Sequence, residues 1–229
     1  MPADPRIAGS EASWGVADGR LVGCPGCLAA GSPLHRCLAA ARHADPVARL
    51  IPAFKNPRGP FGPAPSARHL VEHLADALAD RLTAETRELP DLVVPIPLHP
   101  SRLRRRGFNQ SDWIADRIAR RLGRPFAPGL LARIRDTGTQ AGLSARQRRA
   151  NLAGAFRVVG RPPGLARPRE ARPLGGLRIA LVDDVLTTGG TLEAAAEALL
   201  AAGALEVVAL TLSAALAPRR LTRDGPRGA

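Results

Sequence analysis

The chain has 229 residues, 45% hydrophobic and only 3% aromatic, with no tyrosine, so one good-sized domain with a small appendage must build its core from Leu, Val, Ile and Ala. It carries 33 Lys and Arg against 20 Asp and Glu, a formal charge of +13, and Lys55 is the single lysine. There is no apolar h-region near the N-terminus and no run of about 18 uncharged apolar residues, so neither a secretory signal nor a membrane span is expected. Three cysteines, an odd count, argue against a disulfide framework. The cytoplasm is therefore the expected compartment. A guanidinium bonds two phosphate oxygens at once, so phosphorylated metabolites and nucleic acid are both expected partners.

Residues 1–20 are polar, small and without period, which predicts disorder. Residues 21–65 hold Cys24, Cys27 and Cys37 and end in the Pro/Gly-rich stretch NPRGPFGPAPS, a linker or long loop. Leu70, Val71, Leu74, Leu78 and Leu82 recur at helical spacing from about Ala67. Asp91–Leu98 is a β-branched run whose prolines place it at a strand end. Asn109 or Ser111 caps a helix carrying Trp113, Ile114, Ile118 and Leu122. The basic, polar segment from Arg133 to Asn151 predicts a mobile loop, and the Pro/Arg-rich residues after Arg157 an exposed excursion. Leu177–Val182 is an apolar strand, Thr191–Ala202 an Ala/Leu-rich helix ended by Gly203, and Leu205–Leu216 another strand. Helix and strand alternate across 66–217, so the fold class is α/β with a mainly parallel central sheet flanked by helices. Residues 218–229 form a basic tail.

The stretch IALVDDVLTTGG puts Asp183 and Asp184 at the carboxyl end of a strand, where parallel sheets gather ligands. The loop after them leads into a helix, whose first N–H groups and partial positive charge suit phosphate. Gly189 and Gly190 allow close backbone approach, and Thr187, Thr188 and Thr191 add hydroxyl donors. The two aspartates repel phosphate and need another task. Carboxylates accept hydrogen bonds from vicinal hydroxyls, and a ribose 5-phosphate presents both groups.

LVDDVLTTGGT resembles the phosphoribosyl-diphosphate (PRPP) motif of type I phosphoribosyltransferases. VVPIPLHPSRLRRRGFNQS and TQAGLSARQRRANLAGAF narrow the resemblance to the ComF/GntX family, competence-associated proteins with a phosphoribosyltransferase fold. LIPAFKNPRG, around Lys55, is similar to a segment of that family. The resemblance implies a type I phosphoribosyltransferase-like fold. It also implies that Asp183 and Asp184 hold the ribose hydroxyls and that Thr187, Thr188, Gly189, Gly190 and Thr191 cradle the 5-phosphate. Arg102 and Arg106 meet the pyrophosphate, and Gln140, Arg148 and Asn151 belong to a catalytic lid. Mg²⁺ binds through pyrophosphate and ribose oxygens. Hypoxanthine–guanine-type relatives carry an aspartate where this chain has Thr187, so that substrate class is disfavoured.

Cys24-Pro-Gly-Cys27 is half a zinc knuckle. ComF-like proteins often carry a second pair, whereas here Cys37 and His35 are left to complete a structural Cys₃His zinc site, with His43 a rival ligand. This makes the N-terminal segment a degenerate zinc ribbon; the alternative is three reduced thiols. From Arg102 to Arg157 there are 14 Arg against Asp112, Asp116 and Asp136, which fits pyrophosphate contacts or a nucleic-acid track. Single-strand binders interleave aromatics, and this segment offers Phe108, Trp113, Phe126 and Phe156. His69 and His73, one helical turn apart, belong to a solvated face, and His99 borders the pyrophosphate turn. Two functions follow. One is a Mg²⁺-dependent transferase moving phosphoribosyl to a nitrogen nucleophile. The other is a non-catalytic PRPP or nucleotide sensor in DNA uptake that contacts single-stranded DNA or a helicase. Either leaves a homodimer open.

Overall fold

The computed structural model describes residues 15–17, 20–22, 32–55, 64–136, 151–163 and 174–215. A short antiparallel pair, β1 (Gly15–Ala17) and β2 (Arg20–Val22), comes first. The main sheet is parallel throughout, with order β3-β8-β7-β4. Its strands are β3 (Arg36–Arg42), β4 (Leu92–Pro95), β7 (Arg178–Leu186) and β8 (Glu206–Ala214). Beyond β4 the chain adds a further line of pairing. Val93 N–H donates to Pro125 O at 3.0 Å, and Ala127 N–H donates to Val93 O at 2.9 Å.

Parallel strands need long crossovers, and helices supply them. α1 (Val47–Lys55) and α2 (Pro65–Glu85) lie between β3 and β4; α3 (Pro100–Arg106) and α4 (Gln110–Leu122) follow β4; α5 (Gly190–Ala201) joins β7 to β8. Period-2 alternation in the strands feeds two cores, one on each face of the sheet. Ile179, Leu181, Val207 and Ala209 face α5. Ala180, Val182, Val208, Leu210 and Leu212 face α1, α2 and α4. On the α5 side a small antiparallel ladder, β5 (Leu131–Arg133) with β6 (Phe156–Val158), covers the first core.

The helices start and stop for local reasons. Asn109, not Ser111, caps α4: its side chain accepts from Ser111 N–H at 3.4 Å. Gly123, at φ 63°, ends that helix. Bidentate pairs Arg117–Asp76 and Arg121–Asp80 tie α4 to α2 along their exposed edge. α2 buries Ala67, Val71, Leu74, Ala75, Leu78, Ala79 and Leu82, while His69 and His73 stay on its solvated face. No helix of the described residues is long and apolar enough to cross a membrane.

Three expectations are altered. The strand expected over Leu177–Val182 continues to Leu186, so the acid pair lies inside its second half rather than after it. Residues 36–42 and 47–55, expected in a separate Cys-bearing segment and linker, form β3 of the main sheet and α1 against its face, because β8 offers a free parallel edge and α2 an apolar one. The segment expected as a loop from Arg133 begins at the end of a strand, β5.

Candidate functional site

The carboxyl ends of β4 and β7 bring together the turn before α3, the start of α4 and the loop before α5. Asp183 and Asp184 stand on β7, and neighbouring strand positions send them to different partners. Asp184 is 5% exposed and its Oδ2 lies 2.8 Å from Lys55 Nζ, at the last residue of α1. This is a close ion pair without the alignment of a hydrogen bond. Asp183 Oδ1 accepts from Ser111 Oγ at 3.0 Å and from the N–H of Asp184 at 2.9 Å. Burial, and then the charge of Asp184, push the Asp183 carboxyl up to about 7; the Asp184 N–H, Lys55 and Ser111 oppose that rise.

Lys55 is aimed by packing. Val47, Ile51 and Phe54 bury one face of α1, and the Phe54 ring stands edge-on to Phe108 at 6.0 Å and Trp113 at 5.6 Å. Phe108 precedes the cap of α4, and α4 carries Ser111. One aromatic cluster thus holds the cation on Asp184 and the hydroxyl on Asp183.

After β7 the chain passes Thr187 and Thr188 to Gly189, at φ 81°, and enters α5 at Gly190. Only glycine takes that backbone conformation freely. Thr187 is exposed, Thr188 and Thr191 are half-buried, and both glycines are buried. The helix start thus offers N–H groups beside hydroxyl donors, a cradle suited to an anion.

Arginines approach from the other side. Arg106 donates to Gln110 Oε1 at 2.6 Å. Burial lowers its pKa and the charge of Asp184 works against that, so the guanidinium lies within electrostatic reach of the acid pair, with Arg102 beside it. Arg133, at the end of β5, is buried with its guanidinium 5.6 Å from the centre of the Phe156 ring. Burial and then Arg102 lower its pKa, and Asp183 opposes them. Three arginines from two elements therefore share the field of two carboxylates. His99 caps α3, accepting from Ser101 N–H through Nδ1, and Ser101 Oγ donates to Asp136 Oδ2 at 2.6 Å. That contact fastens the turn after β4 to the residue from which 137–150 departs.

Of the residues expected in the site, Arg102, Arg106, Asp183, Asp184 and the Thr187–Thr191 loop are placed as described. Asn151 is half-buried just before β6. Gln140 and Arg148 lie outside the described residues, as do Cys24 and Cys27. Cys37 is 4% exposed within the core of β3, whereas the His35 side chain is 64% exposed, 3.9 Å from Glu206 Oε2. His43, the rival ligand, has Nδ1 2.9 Å from Ser213 Oγ. Among the described residues no three His, Cys, Asp or Glu side chains form a metal-binding group. Sequence motifs do not single out Arg133; LIPAFKNPRG marks Lys55 without giving it a partner, and Ser111 is marked only as an alternative cap of α4.

A family profile described as a phosphoribosyl transferase domain matches residues 112–227. The DNA utilization protein YhgH of Salmonella typhimurium is 36% identical over 184 residues, 80% of this chain and 74% of that protein. Competence protein F of Haemophilus influenzae is 33% identical over 184 residues, 80% of this chain and 75% of that one. A solved glutamine phosphoribosylpyrophosphate amidotransferase from B. subtilis is 23% identical with a TM-score of 0.40, over 64% of this chain and 27% of that chain. With its parallel sheet, its acid pair on β7 and its Thr-Gly loop, the chain belongs to the ComF family, built on a phosphoribosyl transferase domain.

Proposed function

We propose that the protein binds PRPP and transfers its phosphoribosyl group to a nitrogen nucleophile, releasing pyrophosphate. The observation that carries this reading is the grouping at the carboxyl ends of β4 and β7: Asp183 and Asp184 on β7, the Thr187–Thr191 loop that follows them into α5, and Arg106 and Arg133 within electrostatic reach of the acid pair. PRPP calls for these three kinds of group: an anion cradle for its 5-phosphate, acceptors for its hydroxyls and cations for its pyrophosphate. Breaking the bond between C1 and the pyrophosphate oxygen leaves positive charge on the ring and negative charge on the leaving group. Arginines fixed in a partly buried setting stabilise that negative charge without having to reorganise. Arg106 is held by Gln110, so it is preorganised for this task.

Mg²⁺ fits as an ion carried by the ligand. The described residues offer no protein cage for it, and Lys55 already balances Asp184. When bound it would neutralise pyrophosphate charge, a task that Arg102 and Arg106 would share. Thr187 stands at the loop position of the aspartate in hypoxanthine–guanine-type relatives, which disfavours those bases. Gln140, Arg148 and Asn151 are assigned to a lid that keeps water from the activated sugar.

A second reading has its own support. Relatives at 33–36% identity are named for DNA utilization and competence. In it the same site senses PRPP or a nucleotide without turnover, while the arginine-rich face contacts single-stranded DNA or a helicase. Pyrophosphate release, measured with PRPP and Mg²⁺ across nucleobases and amines, separates the two. Release from the wild type should fall at least about 100-fold in the Asp183→Asn/Asp184→Asn variant. Release that survives the double change overturns the site assignment. PRPP binding without release for any acceptor favours the sensor.

A further inference from the structure

Lys55 lies outside the acid pair, the Thr-Gly loop and the arginine-rich turn, yet it makes the closest charged contact in the site. Its Nζ is 2.8 Å from Asp184 Oδ2, with the two side chains 25% and 7% exposed. The helix that carries it is fastened through Phe54 to Phe108 and Trp113, so the contact is built into the packing rather than left to a loose surface side chain. Two adjacent carboxylates in a partly buried strand end repel one another, and a cation held on one of them relieves that repulsion. The other charged groups that face the pair are Arg106 from α3 and Arg133 from β5. Both act on it through space, and the hydroxyl of Ser111 comes from α4. Lys55 makes an ion-pair contact with Asp184 itself.

We propose that Lys55 is a positioning residue of the sugar site: its ammonium occupies Oδ2 of Asp184, holds that carboxylate in place, and leaves Oδ1 as the acceptor for a ligand hydroxyl. Asp183 is then the member of the pair that carries the exchangeable proton, since its charge is the one that burial and Asp184 disfavour. Lys55 therefore sets the pH range in which the site presents two acceptors to a vicinal diol. The inference rests on the reading of Asp183 and Asp184 as the diol site, but the state of the carboxylates is measurable without any ligand.

The test uses the full chain labelled with ¹³C at the aspartate carboxyl carbons and titrated by NMR from pH 5 to 9. Signals of the pair are assigned with Asp183→Asn and Asp184→Asn. In Lys55→Gln the midpoint of the pair should rise by about one pH unit, tenfold in proton affinity, because the second ionisation loses its counter-charge. Lys55→Arg, which restores a cation, should return the midpoint toward the wild type and also controls for folding of α1. Midpoints that coincide in wild type and Lys55→Gln overturn the proposal. In parallel, calorimetric titration with Mg²⁺–PRPP should show binding to Lys55→Gln about tenfold weaker at pH 7, converging on the wild type as pH rises. A loss equal at every pH overturns the positioning role. A shifted carboxyl midpoint with no PRPP binding by the wild type supports Lys55's hold on the pair and overturns the sugar-site reading instead.

Discussion

The hydroxyl of Ser111 donates to Oδ1 of Asp183 across 3.0 Å, joining the first turn of α4 to the second half of β7. Ser111 is 1% exposed, so water cannot replace its donor. Ser111→Ala removes a hydrogen bond that favours the charged carboxylate while leaving α4 capped by Asn109. The Asp183 proton should then be held more tightly. PRPP binding at pH 7 should weaken about 3- to 10-fold, in keeping with the net loss of one hydrogen bond, about 0.5–1.5 kcal/mol. Calorimetry at two pH values checks this: the deficit should shrink at pH 8.5. A deficit independent of pH would mean that Ser111 acts only through packing.

Asp183 also leaves a signature in folding. Its ordinary value is 3.8, and the folded protein raises it to about 7. The folded state therefore holds a proton between these values that the unfolded chain has released. That contribution to stability is complete below about pH 4 and is lost as pH rises toward 7. Asp183→Asn removes the ionisation. In urea unfolding the variant should be the more stable protein at pH 8, by a difference on the order of 2–4 kcal/mol, and its stability should vary less between pH 5 and 8. Parallel curves for the two proteins would place Asp183 in a better solvated setting than its burial implies.

Apart from Arg102 and Arg106, which a second motif marks, the parts of this site that are legible in the sequence are those contiguous in it. Asp183, Asp184, the Thr-Gly loop and α5 follow one another along the chain, so strand period, glycines and helix pattern identify them together. Ser111 and Lys55 reach the same point through the fold, from segments far upstream, and a serine after a helix cap has no local mark of a partner 72 residues away. β3 is hidden differently. Its sequence, RCLAAAR, is rich in alanine, a poor strand former, and parallel pairing with β8 overrides that preference. β5 is three residues long, and its partner Phe156–Val158 lies beyond a long basic segment, so no hairpin signal joins them.

Gly189 is the position where the anion cradle depends on backbone conformation. Its φ of 81° lies in the left-handed region, and it serves as the cap of α5. Gly189→Ala places a Cβ in that conformation at a cost of about 1–2 kcal/mol. The loop can escape the strain only by turning its N–H groups. Thermal unfolding should fall by a few degrees, about 2–8 °C for a domain of this size. PRPP affinity should fall more than tenfold, whereas Thr187→Ala, which alters an exposed hydroxyl, should leave the melting temperature unchanged. Full PRPP affinity in Gly189→Ala would move the phosphate away from this loop.

Cys37 separates a core role from a metal role. Its side chain faces the α5 side of the sheet, packed among apolar residues, and its backbone pairs with Ala209 on β8. A buried thiol of this kind behaves as a small apolar group. Cys37→Ala should cost about 1 kcal/mol, the loss of one buried methylene-sized group. Cys37→Ser should cost more, about 1–3 kcal/mol, because a hydroxyl is left in apolar surroundings without a partner. Urea unfolding measures both. Zinc per chain, measured on the purified protein by atomic absorption, should be the same in wild type and Cys37→Ala, since a sulfur packed into this core is turned away from solvent and from the exposed His35 ring. A stoichiometric loss of zinc in Cys37→Ala would instead make the thiolate a ligand, and the order of the two stability costs would then reverse, with serine the better tolerated replacement.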